Sequence, residues 1–254
     1  MAAEARGSTE DAGADAETAA EPQIMIKEII NKLHSELPAT VKLVAVSKFH
    51  PFEAIEEAYE AGQRIFAESR PQELLAKVRR LEEIRAEKGD QTYMSDIHWH
   101  FIGHLQTNKL KMVLPYVSLV QSVDSERLLD AINAWGAANG KIIDVLLEPH
   151  VAAEETKQGF SPDEVMNIIS DAGRYGNICF RGIMGMATFT DDEAVIREDF
   201  SRLRDIYKKA TGLASDLSEY FTELSIGMSD DYPIAIEYGS TMVRIGSMIF
   251  GTRS

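Results

Sequence analysis

The stretch "KLVAVSKFHPFEAIEEAYEAGQRIFAE", residues 42–68, contains a complete strand–helix–strand unit. The apolar runs at 42–47 and 64–68 are typical of buried strands, and the amphipathic segment 51–61 between them predicts a helix. Two strands joined in this way are expected to be parallel neighbours, because a parallel pair requires a crossover connection. The same alternation extends along the chain, so this unit indicates the architecture of the whole.

Eight strands, with helices between them, are predicted from this alternation. The predicted strands cover 42–47, 64–68, 98–102, 117–122, 141–147, 178–184, 222–227 and 241–245, and the predicted helices lie near 51–61, 71–88, 106–114, 125–138, 161–173, 191–214 and 230–238. An extra N-terminal helix follows from the apolar spacing of "IMIKEIINKL", residues 24–33, before Pro38. Eight units in 254 residues favour an α/β fold, a single (β/α)₈ TIM barrel, over an open doubly wound sheet.

The first 22 residues differ in composition from the rest. The segment 1–22, "MAAEARGSTEDAGADAETAAEP", has almost no large apolar side chain, so burial cannot offset the entropy of ordering it. It has neither the apolar core of a signal peptide nor the basic character of a transit sequence. We predict a disordered acidic tail over 1–22, with a short helix or an added expression segment as alternatives, and one folded domain over 23–254.

The composition argues against several classes of partner. A net charge of −15 is the opposite of a nucleic-acid footprint and disfavours anionic lipid. No stretch of about 18 apolar residues is present that could span a membrane. The single cysteine, Cys179, lies in a strand-like run and cannot form an internal disulfide. These features predict a cytoplasmic protein with no nucleic-acid or membrane partner.

Lys48 follows the first predicted strand at its carboxyl end, where barrels place their functional residues. Side chains alternate along a strand, so Val44, Val46 and Lys48 share one face. If that face lines the barrel, burial over an apolar floor lowers the pKa of the amine. A neutral amine can form a Schiff base with a carbonyl compound. The alternative is a surface lysine that extends from the strand end into water.

The last predicted strand and its loop, "GSTMVRIGSMIFG" at 239–251, suggest an anion site. Arg244, Gly246 and Ser247 lie at its carboxyl end, and Ser229 follows the preceding strand; barrels often bind phosphate in these two loops. A glycine-containing turn before a last helix is the alternative. A lysine, a phosphate site and an inward guanidinium, which would hold a pyridine nitrogen unprotonated, together suggest pyridoxal 5′-phosphate (PLP).

Five motifs carry a resemblance to a known family. They are "VAVSK" (44–48), "WHFIGHLQTNK" (99–109), "RGIMGMA" (181–187), "SIGMSDD" (225–231) and "GSTMVRIGSMIFG" (239–251). In this order they resemble the pyridoxal phosphate homeostasis protein family, whose single domain is like the N-terminal barrel of alanine racemase. The motifs extend over nearly all of the predicted folded part.

The resemblance implies a set of cofactor-binding residues and no catalytic or metal-binding ones. It implies a Schiff base between PLP and Lys48, Arg244 at the pyridine nitrogen, Ser229, Gly246 and Ser247 at the phosphate, and Ser69 and His104 near the ring. Ser69 stands where family members often have asparagine, so that contact is shortened or lost. Lys157 matches a family lysine considered as a second cofactor-handling site, with a solvated loop lysine as the alternative.

The resemblance predicts a carrier in PLP homeostasis rather than an enzyme. Alanine racemases take a second base from a C-terminal domain, and the chain ends at Ser254 with no expected room for one. A weak amino-acid racemase is the main alternative, and a class I aldolase-like enzyme acting on a sugar phosphate is a further one. Amino acids and transient PLP-dependent apo-enzymes are the predicted partners, and the expected state is a monomer.

Overall fold

The computed structural model describes residues 26–151, 158–213 and 219–251. Eight parallel strands form a closed barrel in the order of the chain, and β8 pairs with β1 to complete it. The strands are β1 Lys42–Val46, β2 Ile65–Glu68, β3 His98–Phe101, β4 Val117–Val123, β5 Ile143–Leu147, β6 Ile178–Met184, β7 Glu223–Ser225 and β8 Met242–Ile245. The predicted (β/α)₈ barrel is confirmed.

Helices follow the strands and form the outer layer. They are α1 Ile26–Glu36, α2 Phe52–Glu60, α3 Pro71–Lys88, α4 Leu110–Val113, α5 Glu126–Asn139, α6 Pro162–Ser170, α7 Glu193–Leu213, α8 Tyr232–Glu237 and α9 Ser247–Phe250. The extra helix before the first strand is therefore present. The predicted disordered tail at 1–22 and the candidate Lys157 lie outside the described residues.

Local sequence explains several of the helix ends. Ser161 and Glu164 form a reciprocal capping box at the start of α6, which satisfies backbone N–H groups that a helix start leaves open. Gly89 ends α3 and Gly140 ends α5, and both adopt the left-handed conformation in which glycine has no steric penalty.

Most predicted elements differ from the structure by one to three residues at an end, and β7 and the predicted helix at 106–114 illustrate the differences. The predicted strand 222–227 is only Glu223–Ser225; Gly227, with φ +97°, lies beyond its end, where its carbonyl still accepts from the N–H of Arg244 at 2.9 Å. The predicted helix 106–114 divides into a 3₁₀ turn, Thr107–Lys109, and the short α4.

The barrel interior carries an apolar layer below the carboxyl ends of the strands. Val44 and Val46 of β1 belong to this layer, as the alternation of side chains predicts. Its other buried members are Ala67, Leu119, Leu146, Met184 and Met242. The opposite faces of the strands pack against the helices in the main core. A side chain that continues the inward face of β1 therefore lies above an apolar floor.

A buried chain of hydrogen bonds crosses the interior from β3 to β8. Gln121 donates through its amide nitrogen to Nδ1 of His100 at 2.9 Å, and its amide oxygen accepts from Ser225 Oγ at 2.7 Å. Arg244 Nη1 donates to the same Ser225 hydroxyl at 2.8 Å. Four strands thus share one polar network, which fixes the side chain of Arg244 from below.

None of the helices in the described parts of the chain is long and apolar enough to cross a membrane.

We predict that acid weakens the fold through His100. Burial lowers the pKa of this imidazole to about 3, and the positive charges of His98 and Lys42 act in the same direction. In the unfolded chain the ring binds a proton near pH 6.5, so the free energy of unfolding decreases as the pH drops below that value and goes on decreasing toward pH 3. At pH 5 the loss is about 2 kcal/mol relative to pH 8.

The matched variant is His100→Asn, which keeps an acceptor for the Gln121 amide and removes the titration. Urea unfolding of both proteins at pH 8 and pH 5 measures the difference. We expect the variant to lose less stability than the parent protein over this interval. Equal losses in the two proteins would show that His100 is not the group responsible.

Candidate functional site

A cavity of about 510 Å³ opens at the carboxyl end of the barrel. Its size lies within the range of small-molecule sites. Five residues that the sequence predicted to bind a cofactor line it together: Lys48, Ser229, Arg244, Gly246 and Ser247. Apolar side chains form much of the remaining wall, including Val46, Ile102 and Met184.

Lys48 lies two residues after the end of β1 and is half-buried in the cavity wall. It is the second residue of a tight turn, in which the N–H of His50 donates to the carbonyl of Ser47 at 3.1 Å. Phe49, the third residue, has φ +69°, a conformation that non-glycine residues seldom adopt. The turn thus ends the strand abruptly and leaves the lysine at the mouth of the barrel.

Arg244 is buried, and the surrounding backbone fixes its orientation. Its Nη1 atom donates to the carbonyl of Ser225 at 2.7 Å, and its Nη2 atom donates to the carbonyl of Gly185 at 2.9 Å. Burial lowers the pKa of the guanidinium, whereas the nearby carboxylates of Glu148 and Asp231 raise it. An arginine keeps its proton in proteins, so this group supplies a fixed positive charge.

Two loops contribute hydroxyl groups and a glycine to the cavity. Ser229 lies in the loop after β7, which is held by a hydrogen bond of 2.6 Å from the N–H of Met228 to Asp231. Gly246 and Ser247 follow β8. A Cβ at Gly246 would lie 3.1 Å from the carbonyl oxygen of Val46, so the absent side chain lets this loop approach β1.

The other two predicted residues lie elsewhere at this end of the barrel. Ser69 follows β2, and its carbonyl oxygen packs so close to Gly103 that a Cβ on the glycine would lie 2.0 Å away. His104 lines a second cavity of about 430 Å³ and contacts Asp124 at 2.9 Å through Nδ1. Neither residue is among those that line the first cavity, so a contact with the cofactor stays a prediction for both.

Sequence reasoning missed two residues near this site. His50 lines the first cavity, its ring stacks on Phe250 at 5.2 Å between centroids, and burial lowers its pKa. Glu148 follows β5 on the same face as Leu146, which belongs to the interior layer. Burial raises the pKa of Glu148 to about 7. A carboxylate directly after a buried strand is the signal that could have identified it.

The donor set suits a small anionic aromatic aldehyde. Lys48 supplies an amine, Arg244 a fixed positive charge, and Ser229 and Ser247 hydroxyl donors, all on one cavity with apolar walls. PLP carries an aldehyde, an aromatic ring and a phosphate, so the residues present fit it. In the described segments, no group of three or more His, Cys, Asp or Glu residues could hold a metal ion.

Comparison with known sequences identifies one family model and relatives that share one name. The family described as alanine racemase, N-terminal domain, matches residues 25–254. The pyridoxal phosphate homeostasis protein of Haemophilus influenzae is 34% identical over 215 residues, which cover 85% of this chain and 86% of that protein. The protein of the same name from Schizosaccharomyces pombe is 35% identical over 216 residues, 84% of each chain.

Comparison with solved structures agrees. PipY of Synechococcus elongatus, with PLP bound, superposes with a TM-score of 0.78 at 33% identity, covering 89% of this chain and all of PipY. Alanine racemase of Clostridium difficile superposes with a TM-score of 0.67 at 16% identity, covering 89% of this chain and 56% of the racemase. The second likeness shows a shared fold, which confirms the predicted alanine racemase-like barrel.

We predict that Glu148 titrates near neutrality and that Glu148→Gln removes this titration. Because burial raises its pKa from 4.5 to about 7, the native protein holds a proton that the unfolded chain releases between these values. The contribution of Glu148 to the free energy of unfolding therefore decreases as the pH rises from about 4.5 to 7. Over this interval the free energy of unfolding of the variant should rise by roughly 1–2 kcal/mol relative to that of the parent protein. This figure allows for the partial exposure of Glu148 to solvent.

Chemical unfolding of both proteins at pH 5, 6, 7 and 8 measures this difference. The attraction between the Glu148 carboxylate and Arg244 lowers the pKa of Glu148, so it is already part of the titration that Glu148→Gln removes. Parallel stability curves for the two proteins would show that Glu148 has an ordinary pKa.

Proposed function

The chain belongs to the pyridoxal phosphate homeostasis protein family, and on this premise we propose that it binds PLP through Lys48 and acts in the homeostasis of that cofactor rather than as an enzyme. One observation carries the proposal. Lys48, Arg244 and the loop residues Ser229, Gly246 and Ser247 line a single cavity at the functional end of the barrel. Arg244 lies in β8, and the other four residues follow β1, β7 or β8.

PLP supplies an aldehyde, with which a lysine amine forms a Schiff base as one water is released. In the proposed site Lys48 holds the ligand covalently from the end of β1. Arg244 holds the ring nitrogen and, because it cannot give up its proton, leaves that nitrogen unprotonated. The hydroxyls of Ser229 and Ser247 and the backbone of Gly246 bind the phosphate.

Ser69 and His104 keep a proposed place beside the ring. They follow β2 and β3; β2 pairs with β1, and β3 is the next strand beyond it in the barrel. Serine reaches less far than the asparagine that family members often have in place of Ser69, so we expect a weak contact there.

The open mouth of the barrel supports a carrier rather than a catalyst. Phe49, Met186 and Met228 line the cavity and are 40%, 45% and 36% exposed. Electrostatic catalysis is strongest where water is excluded, whereas an open site favours exchange of the ligand. The proposed partners are PLP itself, amino acids and transient PLP-dependent apo-enzymes. The proposed state is a cytoplasmic monomer.

Lys48→Ala should abolish covalent binding of PLP. We expect about one pyridoxyl group per chain, on Lys48, after borohydride reduction of the parent protein, and none after reduction of the variant. The absorbance of bound PLP should be lost in parallel. Peptide mapping by mass spectrometry measures the adduct and locates it.

Two controls sharpen this experiment. Lys111→Ala makes the same change at an exposed lysine of α4 and should leave the adduct unchanged. Lys157→Ala tests the second candidate. An adduct that survives in the Lys48 variant, or that maps to Lys157, would overturn the proposed site.

The PLP-loaded protein should not racemise amino acids. We expect no more than one deuterium per bound PLP to enter the Cα position of alanine in D₂O. Proton NMR of the amino acid follows the exchange, with the Lys48→Ala protein as the blank. Many turnovers per chain that disappear in the variant would establish an enzyme.

A further inference from the structure

A buried lysine lies behind the turn that carries Lys48. Lys77 belongs to α3, and only 7% of its side chain is exposed. Its ammonium donates to the carbonyl of Ser47 at 2.7 Å, to Glu68 Oε1 at 2.6 Å and to Glu73 Oε1 at 3.1 Å. An ammonium has three donors, and all three are used here. One side chain thus joins the end of β1, the end of β2 and the first turn of α3.

The same cluster holds both sides of the lysine turn. Ser47 donates through its hydroxyl to Glu68 Oε1 at 2.6 Å, which fixes the residue before Lys48. Glu73 accepts a hydrogen bond from the backbone N–H of Phe49, the residue after it. Phe49 adopts the left-handed conformation, and such strained residues persist only where their surroundings hold them.

Stability alone does not explain this arrangement. Glu68 is fully buried and its Oε2 atom has no hydrogen-bond partner in the described structure, so burying the pair carries a desolvation cost. Replacement of a buried ion pair by apolar groups is often neutral or stabilising. The contacts of this pair fix the groups that they join, and here those groups belong to the turn around Lys48.

We propose that Lys77 is a positioning residue, which holds the Ser47–His50 turn so that the amine of Lys48 projects into the cavity. This role rests on the proposed function, because it concerns the covalent attachment of PLP. It extends that function to a side chain in the second layer, which does not line the cavity. The phosphate-binding loops after β7 and β8 lie outside the cluster and should be unaffected by its loss.

The test separates the amine from the rest of the site by using two ligands. PLP reports on Lys48, whereas pyridoxine 5′-phosphate has an alcohol in place of the aldehyde and reports only on non-covalent binding. The main variant is Lys77→Met with Glu68→Gln, since Lys77→Met alone would leave a buried carboxylate unpaired. The glutamine keeps an acceptor for the Ser47 hydroxyl. Lys88→Met, an exposed lysine on the same helix, is the control.

We expect the rate of borohydride-trapped PLP attachment to Lys48 to fall about tenfold or more in the double variant, because a displaced nucleophile reacts slowly. Affinity for pyridoxine 5′-phosphate, measured by calorimetry, should change less than twofold. Glu73→Gln weakens the contacts of this carboxylate with the Phe49 N–H and the Lys77 ammonium but leaves the Lys77–Glu68 pair, so it should give a smaller loss of the same kind. It keeps the test decisive if the double variant does not fold.

Three outcomes would overturn the positioning role. They are attachment at the parental rate in the folded variants, equal losses for both ligands, and an equal loss in the Lys88→Met control. Failure of the proposed function has a different signature, since the unmodified protein would then attach no PLP to Lys48 at all.

Discussion

Closure of the barrel between β1 and β8 is the constraint on which the site depends. Val44 pairs with Arg244 across this junction, so the ends of two strands almost two hundred residues apart in sequence reach the same rim. Lys48 projects from one of them, and Gly246 lies against the carbonyl of Val46 from the other. Because all the strands are parallel, their carboxyl ends lie at the same end of the barrel. The segments that follow β1 and β8 must therefore meet there. An antiparallel partner would place Lys48 and the loop with Gly246 at opposite ends of the barrel.

The interior of the barrel combines two kinds of packing with different consequences. Its apolar layer supplies ordinary burial, whereas the chain from His100 to Arg244 carries hydrogen bonds through the same space. A polar column is less favourable to bury than aliphatic side chains, and it is tolerated only where each member finds a partner. In return, the guanidinium below the cavity has one orientation. The hydrogen bonds of Arg244 thus hold this charge in a defined orientation, at a cost in the free energy of burial.

Much of the fold, and the centre of the site, could be predicted from the sequence, for a physical reason. Strand periodicity and the crossover requirement are local, and together with chain length they led to the barrel. The rule that strand ends carry function led to Lys48 and Arg244. Glu148 and His50 were missed because their importance depends on what surrounds them. Ser69 and His104 were inferred from family resemblance rather than strand geometry, and the structure places them beside the main cavity rather than in its wall.

The rim of the mouth is rich in thioethers. Met186 and Met228 in the loops after β6 and β7, and Met248 in α9 after β8, are all more than a third exposed. Exposed methionine sulfur is readily oxidised, and the sulfoxide is polar where the thioether was apolar and adaptable. The polarity of this entrance therefore depends on the redox conditions around the protein. A reductase would be needed to convert the sulfoxides back to thioethers.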